Sequence, residues 1–224
     1  MNALKMFLIG ILVLNSTVSL AAVREWNQPD WIPHSVCPQG AGSCLEVIEI
    51  QFPLDQVQTG VALLIPGFTQ NGRFWDLWPE KNISYARHLM NELGIKVYLL
   101  NPRGIGNSDP RHRGNMDDEA IEDIPAALEF VAGREHEKIL VFGHSQGGIT
   151  LLASLSGLTR ASGADPVFSR EVALQRQALV RGAIAVASNV TMRSELPAND
   201  LFHHRSAGSR AQKFAAPSRL DRHR

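Results

Sequence analysis

Short apolar runs, each halted by turn-forming residues, alternate along the chain with stretches of helical spacing. Leu45 to Phe52 interleaves apolar and polar side chains and predicts an early strand. Val61–Ile65 stops at Pro66-Gly67, Lys96–Leu100 at Asn101-Pro102 and Lys138–Phe142 at Gly143; Gly182–Ala187 is a further run. Nearly all-apolar runs of this length suit strands covered on both faces, as in a parallel sheet. Between them, Ala86, Leu89, Met90 and Leu93 recur at helical spacing from the N-cap candidate Ser84 to Gly94. Ile121, Ile124, Leu128 and Val131 form a second set, with Asp123 near its cap and Pro125 in its first turn. Ile149, Leu152 and Leu155 line a third helix, and Glu171–Val180 is a fourth. The fold class is therefore α/β: a mostly parallel sheet with helices on both faces and right-handed crossovers. Ligands of such folds bind beyond the carboxyl ends of the strands, where the glycine-rich turns of this chain fall.

The 224 residues suit one domain with tails. A formal charge of zero, from 22 basic and 22 acidic side chains, argues against a nucleic-acid partner. Residues 1–21 read as a secretory signal: Lys5, the apolar run Met6–Leu14, then small residues at Ser19 and Ala21. Nine residues are too few to cross about 30 Å of hydrocarbon as an anchor. The expected location is secreted or periplasmic. Residues 22–44 form an N-terminal extension in which Cys37 and Cys44 bracket a turn-prone stretch and, in an oxidising compartment, are expected to close a disulfide loop. Asn82-Ile83-Ser84 and Asn189-Val190-Thr191 match the glycosylation pattern, which matters only in a glycosylating host.

The chemistry concentrates in Gly143-His144-Ser145-Gln146-Gly147, which follows one strand and opens a helix. This is G-x-S-x-G in its strand–turn–helix setting. A tight turn projects the Ser145 hydroxyl above the sheet, and Gly143 and Gly147 allow strand and helix to approach. The Gln146 amide, at a helix N-terminus, can donate to an oxyanion. The second donor belongs to the turn after an earlier strand; Phe68, in Pro66-Gly67-Phe68, is the candidate, with a plain loop as the alternative. His144 is a motif side chain beside the nucleophile rather than a base.

These features resemble the α/β-hydrolase superfamily over roughly residues 45–189. The order is oxyanion turn, an Asn101–Ser108 loop, then nucleophile elbow. Trp75-Asp76-Leu77-Trp78-Pro79 and Asp123-Ile124-Pro125-Ala126 are most similar to the acid lipase branch. Polyester synthases share such stretches but use cysteine, against Ser145. The resemblance implies a serine, acid, histidine order, with the last two after later strands. It also implies a small-molecule or lipid ester as substrate, with transient contact with a lipid surface. Phe74, Trp75 and Trp78 add support to the lipid preference, or else belong to the core. Gly104-Ile105-Gly106-Asn107-Ser108-Asp109 lacks the third glycine of a dinucleotide turn. His88 and His136 are expected on exposed faces or loops, and the adjacent His203-His204 pair does not have metal-site spacing. Neither metal nor cofactor is implied.

After Ala187, 37 residues remain, too few for two further strand–helix units of about 30 residues each. The core is assigned to 45–201, with its C-terminal strands incomplete. Residues 202–224 read as a basic, disordered tail, explained by truncation or an altered frame, or by a basic arm for anionic surfaces. Asp200 with His203 or His204 is the downstream acid–base pair in suitable order, and Asp165 and Glu195 are no better placed. The acid and base of the triad stay unassigned. The leading expectation is a secreted serine hydrolase of carboxylic esters acting through an acyl-enzyme on Ser145. The alternatives are a non-catalytic or nearly inactive truncated relative and a serine peptidase of the same fold.

Overall fold

The computed structural model describes residues 28–38, 42–81, 83–109, 115–161 and 164–188. All of them lie within the first of the chain's two units, 1–190. The proposed signal segment, Asn82 of the first glycosylation pattern, the whole Asn189-Val190-Thr191 pattern, Glu195, Asp200, His203, His204 and the basic tail lie outside the described residues.

A six-stranded sheet runs β1 (Trp31–Val36), β2 (Leu45–Ile50), β4 (Ile95–Asn101), β3 (Gly60–Ile65), β5 (Ile139–His144), β8 (Val180–Val186) in spatial order. The three pairings β4–β3, β3–β5 and β5–β8 are parallel, and β1–β2 and β2–β4 are antiparallel. β1 falls within the stretch read as an extension, yet pairs with β2 over its whole length. Pro33 obscured it, because a proline cannot donate to a ladder; an outer strand tolerates it. Cys37 and Cys44 are disulfide-bonded across the β1–β2 connection.

All six residues of β3 are buried, and its side chains divide the core. Val61, Leu63 and Ile65 face one layer with Tyr98, Leu100 and Val141, roofed by α2 (Ile124–Glu135) and α3 (Gln146–Leu155). Ala62 and Leu64 face the other layer with Leu99 and Phe142, roofed by α1 (Tyr85–Leu93) and by Trp75. The alternation follows from the two-residue period of a strand. Ser84 caps α1 by accepting from the Arg87 amide, and Gly94 ends it at φ 65°. Leu93, expected on the apolar stripe, is half exposed. In α3 the buried side is Leu151 and Leu155 with small residues, while Ile149 and Leu152 are half-buried, a shift from the expected face. Close approach at the helix start turns its small-residue side to the sheet.

Two elements were not legible as apolar runs: the short hairpin β6 (Leu158–Thr159) and β7 (Val167–Phe168), which precedes α4 (Arg170–Ala178). Pro125 sits in the first turn of α2, as expected, but the Asp123 side chain does not cap it. Asp123 is fully buried and takes Arg103 instead: Arg103 Nε lies 2.9 Å from each carboxylate oxygen, and Nη2 reaches Glu122 at 2.8 Å. Ion pairs of this kind hold a fold mainly because removing one partner strands the other. R103A is therefore expected to lower stability by about 3 kcal/mol or more, read as a drop in the urea midpoint. An unchanged midpoint would show that Asp123 finds other solvation.

Candidate active site

β5 ends at His144 and α3 begins at Gln146, so Ser145 alone makes the turn. Its backbone stands at φ 51°, ψ −117°, a conformation that side chains other than glycine rarely hold. Such strain, of order 1–3 kcal/mol, persists only where the surroundings over-determine it. Here they do. The Ser145 amide donates to the Val186 carbonyl at 2.8 Å, and its carbonyl accepts from Gly148 and Ile149 at 3.1 and 3.2 Å. Both backbone groups are thereby fixed, and the partly exposed side chain is the part left to project.

The turn after β3 meets this bend. Gly67 to Gln70 is a β-turn closed by a 3.1 Å bond from the Gln70 amide to the Gly67 carbonyl. Thr69 within it also has a positive φ, 59°. Gln70 Oε1 accepts from the Gly67 amide at 2.9 Å and contacts His144 Nδ1 at 3.1 Å. An amide oxygen only accepts, so Nδ1 carries the proton in that contact. One oxygen thus ties the turn to the residue preceding Ser145. Phe74 stacks on the His144 ring at 4.4 Å between centroids. The ring is thus held by packing and by its contact with Gln70.

Two glycines set how closely the turns approach. A Cβ on Gly147 would lie 2.2 Å from the Pro66 carbonyl oxygen, and one on Gly67 would lie 3.2 Å from Ser145 Cβ. Gly143 is buried under the first turn of α3. The structure thus brings together Ser145, Gln146, Gly143, His144, Gly147 and the Phe68 turn. Gln146 supplies the first amide of α3, where no intrahelical carbonyl is available and the helix end is partially positive. Phe68 is 59% exposed. Trp75 is core, as the alternative reading held, while Trp78 is half exposed.

The Gly104–Asp109 loop is held by hydrogen bonds to Glu46 and Asn101. Asn107 donates to Glu46 Oε1 at 2.7 Å, and Ser108 Oγ bridges the Glu46 amide and the Asn101 carbonyl. Asn101 Oδ1 in turn accepts from Gly72 at 2.6 Å, linking this loop to the segment after the Gly67 turn. His88 and His136 are exposed, and Asp165 lies exposed ahead of β7. Among the described residues no group of three His, Cys, Asp or Glu side chains suits a metal ion.

Sequence reasoning missed Glu119. It is 4% exposed, and its Oε2 accepts from Gln146 Nε2 at 3.0 Å. Burial pushes its pKa up to about 7, with the Asp123 charge adding to the rise and Gln146, Thr150 and Arg103 opposing it. No local pattern marks a glutamate as buried; it surfaces only through the packing of a π-helical turn, Glu119–Asp123, against α3.

The chain belongs to the alpha/beta hydrolase family, whose model matches residues 62–224. Similar solved structures include a thermophilic esterase from Thermogutta terrifontis, 18% identical, covering 73% of this chain and 48% of that one at a TM-score of 0.47. A carboxyl esterase from Bacillus coagulans is 14% identical, with 70% and 44% covered at 0.46. A monoacylglycerol lipase from Paleococcus ferrophilus is 18% identical, with 69% and 47% covered at 0.45. The chain spans about half the length of these structures. A search of the curated proteins found no match.

Two outcomes are expected from the site geometry. G147A drives a methyl into the Pro66 carbonyl and should cost about 2 kcal/mol or more, seen as a lowered thermal midpoint. The Glu119 carboxyl binds its proton more tightly folded than unfolded, so its contribution to stability is full below about pH 4.5 and is lost as pH rises to about 7. E119Q should remove that loss, gaining on the wild type by about 3 kcal/mol between pH 4.5 and 8. Parallel stability–pH curves for the two proteins would refute the assignment.

Proposed function

We propose that the protein is a secreted or periplasmic serine hydrolase that cleaves carboxylic esters through an acyl-enzyme on Ser145. The observation that carries this reading is the strained Ser145 bend packed against the Gly67 turn, with the Gln146 amide at the start of α3. Ser145 Oγ attacks the ester carbonyl carbon, and the carbonyl electron pair moves onto oxygen. The Phe68 and Gln146 amides donate to that oxyanion. Collapse of the tetrahedral intermediate expels the alcohol and leaves the acyl group on Oγ. Water then attacks the acyl carbon and releases the acid.

Both steps need a group to accept and return a proton. We assign no residue to that role or to the carboxylate that orients it. Asp200, His203 and His204 lie outside the described residues. Support for export comes from the Lys5–Ala21 pattern and from the Cys37–Cys44 disulfide, which fits an oxidising compartment. A small-molecule or lipid ester is the proposed substrate. The exposed Phe68 and Trp78 near the oxyanion turn support transient contact with a lipid surface.

Short and medium acyl p-nitrophenyl esters and a fluorophosphonate probe test the reading together. The wild type should take one label and turn over the esters. S145A should take none and lose roughly 10³-fold or more in hydrolysis. Folded wild-type protein that neither labels nor hydrolyses would favour a non-catalytic member of the family, and turnover of aminoacyl amides in preference to esters would favour a peptidase.

A further inference from the structure

The segment leading into α2 is acidic, and its scaffold treats one carboxylate differently from the others. Arg103 takes Asp123 and Glu122, Arg160 pairs with Asp118, and Arg176 donates to the Ile121 carbonyl at 3.1 Å. The segment is therefore fastened by three arginines from separate parts of the chain. Asn115 starts it with a reciprocal capping box on Asp118. The π-helical turn Glu119–Asp123 then directs Glu119, Ala120 and Asp123 inward. Among the described residues no arginine or lysine forms an ion pair with Glu119; its Oε2 accepts from the Gln146 side chain, and Thr150 also stabilises its charge.

We propose that Glu119 is a positioning residue of the ester-cleaving site: its carboxyl group holds the Gln146 side chain and so fixes the first turn of α3 with the Gln146 amide aimed at the substrate oxygen. This rests on the oxyanion assignment made above. The same turn is gripped a second time by Thr150 Oγ1, 3.1 Å from the Gln146 carbonyl and 3.3 Å from that of Gly147. A rigid donor is what oxyanion stabilisation requires, because a donor that must reorganise loses much of its effect. The state of the carboxyl also matters. Protonated, it is a neutral acceptor for Gln146. Ionised, it sets a negative charge behind an amide that must stabilise another. The groups facing it are Asp123 and Arg103 on the side of α2, with Gln146 and Thr150 on α3.

The test measures the rate of fluorophosphonate labelling at Ser145, and backbone deuterium exchange over 145–150, in wild type, E119A and E119Q. E119A should label about tenfold or more slowly at pH 6. E119Q keeps a carbonyl acceptor and should stay within about threefold of wild type there. The wild-type rate relative to E119Q should fall from pH 6 to pH 8. Equal labelling by E119A and wild type would overturn the proposal, as would failure of E119Q to restore the rate. If the wild type takes no label, the nucleophile assignment fails separately, and exchange decides on Glu119. Faster exchange in E119A with recovery in E119Q supports it, and unchanged exchange overturns it. Should E119A not fold, Q146A removes the same contact from the other side and should slow labelling to a similar degree; wild-type rates in Q146A would overturn the proposal.

Discussion

The close approach of the first turn of α3 to the carbonyls of Ile65 and Pro66 governs the site. Gly147 would place a Cβ 2.9 Å from the Ile65 oxygen and 2.2 Å from the Pro66 oxygen, so only a residue without one fits. That contact seats the end of β5 beside the end of β3. It forces the chain to reverse at a single residue, Ser145, and leaves that residue in a backbone state it would not choose alone. The turn bearing Phe68 packs against Ser145, where a Cβ on Gly67 would lie 3.2 Å from Ser145 Cβ, and the Gln146 amide opens α3 directly after it. The chemistry proposed for the chain follows from a packing constraint between backbones rather than from any one reactive side chain.

Polar contacts beneath the site keep the constraint rigid. Gln70 ties Gly67 to His144 through one oxygen. Asn101 joins Gly72 to the loop that Glu46 holds. Three arginines pin the segment from Asp118 to Asp123, and Glu119 carries that rigidity to Gln146. Buried charges are costly unless paired and hydrogen-bonded. Their presence here, around a strained turn, is what an over-determined site requires.

The sheet and the elbow were legible in the sequence because both are written locally. Val61–Ile65 and Lys138–Phe142 are apolar runs bounded by glycine or proline, and Gly143–Gly147 lies between a strand and a helix. β1 was hidden by Pro33, which breaks a strand pattern but suits an outer strand. The buried face of α3 was misread because Ile149 and Leu152 are as apolar as Leu151, and the close contact at Gly147 decides which side turns inward. Glu119 and Gln70 left no local trace. A glutamate in an acidic stretch reads as solvated, and only the three-dimensional placement of Arg103, Arg160 and Gln146 reveals it as buried.

The most direct measurement is a crystal structure of the chain after reaction with a dialkyl aryl phosphate, which mimics the tetrahedral intermediate. The account predicts phosphorus bonded to Ser145 Oγ and its non-bridging oxygen within about 3.1 Å of both the Phe68 and Gln146 amides. Phosphorus on another residue, or an oxygen turned to solvent away from those two amides, would contradict it.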